Sequence, residues 1–141
     1  MEKLLKQLIF VLVISLTFCL HSKRRAGVLL HISSLPSNYG IGTLGDAAYK
    51  FIDFLQNAKQ RVWEILPIGP TIFGDSPYQS LSTFAGNPYF IDLDYLIQEK
   101  LLTEGEVKGL SWGDDPTKVD YGLMFKQRFE VLYKAFKGLG Q

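Results

Sequence analysis

The chain has 141 residues, enough for one ordinary domain, and 47% of them are apolar, which suits a packed core rather than disorder. A net charge of +1 leaves no electrostatic footprint for nucleic acid, and the lone Cys19 excludes an intrachain disulfide and a cysteine-rich metal site. The two histidines, His21 and His31, share no ligand spacing with each other or with a carboxylate cluster, so no metal or other cofactor is expected.

The chain opens with an apolar run, Leu8 to Leu20, broken only by Ser15 and Thr17 and preceded by Lys3 and Lys6. This has the look of a secretory signal, and it is short for a membrane span. No small-x-small cleavage site follows it, and Lys23, Arg24 and Arg25 would resist translocation. Three readings stay open: a signal or anchor, a buried or interfacial helix, and an upstream extension outside the fold. Residues 1–23 are therefore set apart from the body, 24–141. A cytoplasmic location is expected, with export or anchoring through residues 4–20 as the alternative and membrane association left open.

The body begins with "AGVLLHI", Ala26 to Ile32, the pattern of a strand buried on both faces of a parallel sheet. Loop chemistry follows to Gly42. A helix is then expected, with Thr43 as N-cap and Asp46 in the capping-box position. Its apolar stripe is Leu44, Ala47, Ala48, Phe51, Ile52, Leu55 and Ala58. "RVWEILPIGP", Arg61 to Pro70, reads as a second strand. Strand, helix and strand imply a right-handed crossover, as in doubly wound sheets and (β/α)8 barrels. Ligands then meet the C-terminal strand ends, which carry "HISSLPSNYG" and the loop beginning "GPTIFGDSPYQ". The glycines of "GIGTLG" have the wrong spacing for a dinucleotide fingerprint.

Beyond the loop, a helix is expected with Tyr95, Leu96, Leu101 and Leu102 on its apolar face. A last helix, Leu123 to Gly138, has Phe125, Phe129, Leu132, Tyr133 and Phe136 as its apolar side and a solvated basic outer face. One strand–helix–strand unit and two further helices cannot close a barrel, which needs roughly 200 residues or more. The chain thus reads as the start of a larger α/β fold.

"RRAGVLLHISSLPSNYGIGTLGDAAYKFIDFL", with "LPIGPTIFGDSPYQSLSTFAGNPYFIDLDYL" after it, closely resembles the beginning of the amylomaltases, the 4-alpha-glucanotransferases of the alpha-amylase superfamily. "VDYG" and the helix after it are also similar to that family. The resemblance covers Arg24 to about Lys137. It implies the N-terminal portion of a (β/α)8 TIM barrel, incomplete in this chain. It also implies retaining transfer of alpha-1,4-glucan segments between maltooligosaccharides, through an aspartate nucleophile and a glutamate acid/base. Those carboxylates lie later in the family, and their motifs do not occur here. The chain alone is therefore expected to be inactive, with a complementing C-terminal chain as a partner. The alternative is a non-catalytic glucan-binding or membrane-anchored remnant.

On the same resemblance, the loop from Phe73 to Tyr89 is a wall of the sugar site. Tyr78 would stack on a glucose ring and Ser76 would hydrogen-bond its hydroxyls, while Pro77 stiffens the turn and Gly74 and Gly86 permit its geometry. Tyr89 is structural. Asp75 either caps a turn or touches sugar. His31 either lines the cleft or is a hydrogen-bonded structural histidine. Glu64, inside the second strand, reads as a buried or paired structural acid rather than the partner of Asp75 in a glycosidase pair. No residue of this chain is assigned a catalytic role.

Overall fold

The computed structural model describes residues 24–71, 75–82 and 84–139. The leader, residues 1–23, and the readings attached to it lie outside these residues. Strand β1, Gly27–Leu29, pairs in parallel with β2, Val62–Glu64, in the register Gly27 to Val62. Helix α1, Asp46–Asn57, connects them. Two short helices follow the long loop: α2, Leu93–Gln98, and α3, Glu104–Lys108. The chain then enters α4, Tyr121–Leu123, passes through a π-helical turn, Met124–Arg128, and continues as α5, Phe129–Gly138.

Both strands are shorter than the apolar runs suggest, and they are not buried on both faces. Leu29 and Val62 are exposed, and so is Glu64, which corrects the burial in the reading of Glu64 as a buried or paired acid. The physical reason is coverage. The strand faces turned toward Val28 and Trp63 meet α1, where the Trp63 ring packs edge-on against Phe51 at 5.0 Å. Its indole N–H donates to the Leu30 carbonyl at 2.7 Å. The residues that alternate with these point the other way, where no described residue covers them.

Helix α1 starts two residues later than the capping pattern suggests. Gly45 is its N-cap, in extended backbone, and the Thr43 hydroxyl donates instead to the carboxylate of Asp92. A Cβ on Gly45 would lie 2.0 Å from an oxygen of that carboxylate, so the close approach requires glycine. Of the expected stripe, Ala48 and Leu55 are buried and Phe51 is half-buried, whereas Leu44, Ile52 and Ala58 are exposed. Asp92 also caps α2 by accepting from the Tyr95 N–H at 3.2 Å. The Tyr95 hydroxyl returns to α1 by donating to Asp46 at 2.9 Å, and that bond pushes the phenol up to about 12. The single helix expected after the loop is split, because Lys100 takes left-handed backbone (φ 61°) and ends α2 before Thr103 opens α3.

The last helix turns a different side inward from the one its aromatics suggest. Met124, Arg128, Val131 and Ala135 are buried, while Phe125 and Phe136 are 69% and 68% exposed. Met124, Arg128, Val131 and Ala135 follow one another at four- and three-residue spacing, which sets them on one side of the helix. Arg128 has no exposed surface, which corrects its place on a solvated basic face. One terminal nitrogen donates to the carbonyls of Tyr89, at 3.1 Å, and Ile91. Its guanidinium carbon stands 5.8 Å from the ring centre of Trp112. Burial lowers its pKa to about 10, against the opposing pull of the Asp92 charge. Trp112 packs against two apolar clusters, one containing Ile32, Phe90 and Met124, the other Leu93, Val107 and Val131. Replacing Arg128 by Ala should lower unfolding free energy by about 3 kcal/mol, because two charge-assisted bonds vanish and two carbonyls lose their donor. Urea unfolding followed by far-ultraviolet circular dichroism checks this, and an unchanged midpoint would contradict the clamp.

Candidate functional site

The strand ends do what a crossover unit requires of them. β1 runs out into His31 and a 3-10 turn, Ile32–Ser34, and β2 runs out toward Leu66, Pro67 and Thr71. Between them opens a pocket of about 250 Å³, lined among others by His31, Ser33, Thr71, Asp75, Pro77 and Tyr121. Three separate stretches of sequence therefore converge at one place, on the C-terminal side of a parallel strand pair.

The long loop is fastened at its neck by Asn87, which is buried. Its backbone N–H donates to the Ile68 carbonyl at 2.9 Å and its side-chain amide donates to the Gly69 carbonyl at 3.3 Å. Its side-chain oxygen accepts from the Tyr89 N–H at 3.0 Å. The two ends of the loop are thus held together at a closed base, as in a compact surface loop. Gly74 lies outside the described residues. Gly86 has open space where a Cβ would be and ordinary backbone, so the loop does not depend on its being glycine.

His31 stacks edge-on against Phe90 at 5.3 Å, and burial lowers its pKa. Its Nδ1 and the hydroxyl of Thr71 are buried without a hydrogen-bond partner among the described residues. Two unsatisfied polar atoms on one pocket mark a place where a polar ligand or water is favoured, since leaving such groups dry is costly. Asp75 holds left-handed backbone (φ 54°), a conformation that aspartate tolerates better than most residues. Its negative charge, after burial, raises the phenols of Tyr89 and Tyr121.

Of the four residues singled out from sequence, His31 and Asp75 meet in this pocket. Ser76 and Tyr78 occupy the turn just beyond it. The Ser76 hydroxyl oxygen accepts from the Tyr78 N–H at 3.3 Å, and its carbonyl accepts from Gln79 at 3.2 Å. The Tyr78 ring is 71% exposed and stands free of the pocket lining. Tyr89 is buried beside Tyr121 and Phe129, as expected of a structural residue. Sequence reasoning missed Thr71 and Tyr121 as pocket residues. The "VDYG" turn held the signal for Tyr121: Asp120 caps α4 by accepting from the Leu123 N–H at 3.0 Å, which places Tyr121 at the helix start.

A histidine whose folded pKa lies below its ordinary 6.5 favours the fold when neutral. Its contribution is fully present above that value and is lost as the pH falls through it. The urea midpoint is therefore expected to drop between about pH 7.5 and pH 5, and to drop less in the H31Q variant. Equal slopes for both proteins would contradict this account.

Comparison with known proteins gives a consistent result. A family model described as 4-alpha-glucanotransferase matches residues 30–141. A 4-alpha-glucanotransferase of Streptococcus pneumoniae is 54% identical over 115 residues, which are 82% of this chain and 23% of that protein. One from Thermus thermophilus is 48% identical over 115 residues, 82% of this chain and 22% of that protein. The structure of an amylomaltase from Streptococcus agalactiae in complex with acarbose superposes with a TM-score of 0.81 at 49% identity. The match covers 84% of this chain and 24% of that one. The chain thus spans about a quarter of the length of the relatives it matches.

Proposed function

The chain belongs to the 4-alpha-glucanotransferase family, and from that premise we propose that it supplies one wall of the sugar site in a glucan-transferring (β/α)8 barrel. The observation that carries this reading is the exposed Tyr78 ring standing beside a polar pocket at the ends of two parallel strands. A free aromatic face suits the apolar C–H face of a glucose ring, and the unpartnered His31 nitrogen and Thr71 hydroxyl suit its hydroxyl groups. Ser76 keeps its hydroxyl proton for a sugar oxygen while its own oxygen holds the turn. Asp75 contributes an acceptor.

The reaction is transfer of an alpha-1,4-glucan segment with retention. A carboxylate attacks the anomeric carbon as a second carboxyl group protonates the departing 4-oxygen. The 4-hydroxyl of an acceptor glucan then gives up its proton and displaces the enzyme carboxylate. This needs two carboxyl groups about 5 Å apart. Asp75 is the one acid lining the strand-end pocket among the described residues, so the reacting pair is assigned to the remainder of a family-length polypeptide. That remainder, acting in a complementing chain, would cover the open strand face at Leu29 and Val62 and the aromatic side of the last helix at Phe125 and Phe136. No helix among the described residues is long and apolar enough to cross a membrane.

Incubated alone with maltotriose, the pure chain should release no glucose and form no longer maltooligosaccharides. Disproportionation by the chain on its own would sink the assignment of the carboxylates. Y78A should weaken maltotriose binding about fivefold in a calorimetric titration, the loss of one aromatic contact. Unchanged affinity would remove Tyr78 from the site.

A further inference from the structure

The chain leaves β1 through a histidine whose ring the fold only partly answers. His31 is half-buried, its ring stands edge-on to Phe90 at 5.3 Å, and its Nδ1 is buried with no hydrogen-bond partner among the described residues. The Thr71 hydroxyl, on the same pocket, is in the same state. Buried polar atoms are ordinarily paired, so these two are open to whatever enters. An imidazole is also the side chain whose unperturbed charge change falls between about pH 5 and 8.

The surroundings decide which protonation state the pocket accepts. Its other titratable groups are Asp75, from the long loop, and Tyr121, from the start of α4. The remaining lining, from the turn after β1, the run-out of β2 and the loop's neck at Asn87 and Phe90, carries no charge. Burial raises the Tyr121 phenol, so it stays neutral throughout this range. An imidazolium would thus have a single carboxylate to answer it. Burial wins, and it lowers the His31 pKa from its ordinary 6.5. A ligand in the pocket acts in the same direction twice. It displaces water from the ring, which disfavours the charged form further. A hydroxyl hydrogen given to Nδ1 also needs the ring's lone pair, which an imidazolium lacks.

Building on the reading of this pocket as a sugar site, we propose that His31 links glucan binding to the proton: the neutral imidazole accepts a sugar hydroxyl at Nδ1, beside Thr71, and protonation of the ring releases the sugar. The coupling is reciprocal, so bound sugar opposes the proton as strongly as the proton opposes the sugar. Affinity is fully present above the His31 pKa and is lost as the pH falls through it.

The test titrates maltotriose into the 141-residue chain by calorimetry at about pH 7.5, 6 and 5. The His31 ring protons are followed by nuclear magnetic resonance over the same range, with and without saturating sugar. Amide spectra without sugar at each pH serve as the folding control. Kd should rise several-fold from the highest pH to the lowest, by less than the roughly thirtyfold that a histidine of unshifted pKa 6.5 would give. The His31 midpoint should move down when sugar is bound. H31N places an amide near the position of Nδ1 and does not titrate, so its Kd should be the same at both ends of the range. D75N should keep the slope of the unsubstituted chain. A slope that survives in H31N, a single Kd across the range, or a His31 midpoint that stays or rises with sugar would overturn the proton linkage and leave the sugar site standing. No binding at any pH would overturn both.

Discussion

A guanidinium with no exposed surface joins the last helix to the base of the long loop. Arg128 donates to the carbonyls of Tyr89 and Ile91, the residues that follow the loop's neck, and lies over the ring of Trp112. Burying a cation is costly, several kcal/mol in a protein interior, and here carbonyl acceptors, an aromatic face and the charge of Asp92 oppose that cost. Three parts of the molecule meet at this one side chain: the helix that bears it, the turn that ends the loop, and the Trp112 turn. Its spacing, four residues after Met124 and three before Val131, sets it on the inner side of the helix with them and Ala135.

From that anchor the site inherits its stiffness. Asn87 closes the loop on Ile68 and Gly69, and Tyr89 directly after it is held by Arg128 and packed beside Tyr121. Tyr121 lines the pocket, so the clamp and the pocket share a wall. Asp92 performs a similar service on the other side of the same segment. It accepts from Thr43 and caps α2, which fixes the start of α1 and the end of the loop after β1. The pocket is thus built from strand ends and loop residues whose backbones are each tied to a packed element. This arrangement suits ligand binding because little ordering remains to be done when a ligand arrives.

The exposed surfaces follow a pattern. Leu29 and Val62 on the sheet, and Phe125 and Phe136 on the last helix, are apolar and uncovered among the described residues. A parallel sheet ordinarily has both faces covered, because its crossover helices pack there. The family relatives are some four times longer than the stretch this chain matches. Within the family these surfaces are naturally read as the faces on which further barrel elements pack.

The sequence by itself determined the strand–helix–strand unit, its parallel crossover, the glucanotransferase resemblance and the place of the long loop at the strand ends. These depend on local chemistry: apolar runs, helical periodicity, turn residues and a dense motif. It also marked His31 and Asp75, which do meet. Only the tertiary structure decided which side of the last helix is buried, because an amphipathic pattern ranks faces by apolarity and cannot see which partners each face will meet. Val131 and Ala135 went in and the larger aromatics stayed out. The same holds for Arg128, since nothing in a sequence tells a solvated arginine from a buried one with a single terminal nitrogen on two carbonyls. Gly45 took the cap from Thr43 because Asp92, 47 positions away, needed the space. Thr71 and Tyr121 became pocket residues because folding brought together stretches that local patterns treat as unrelated.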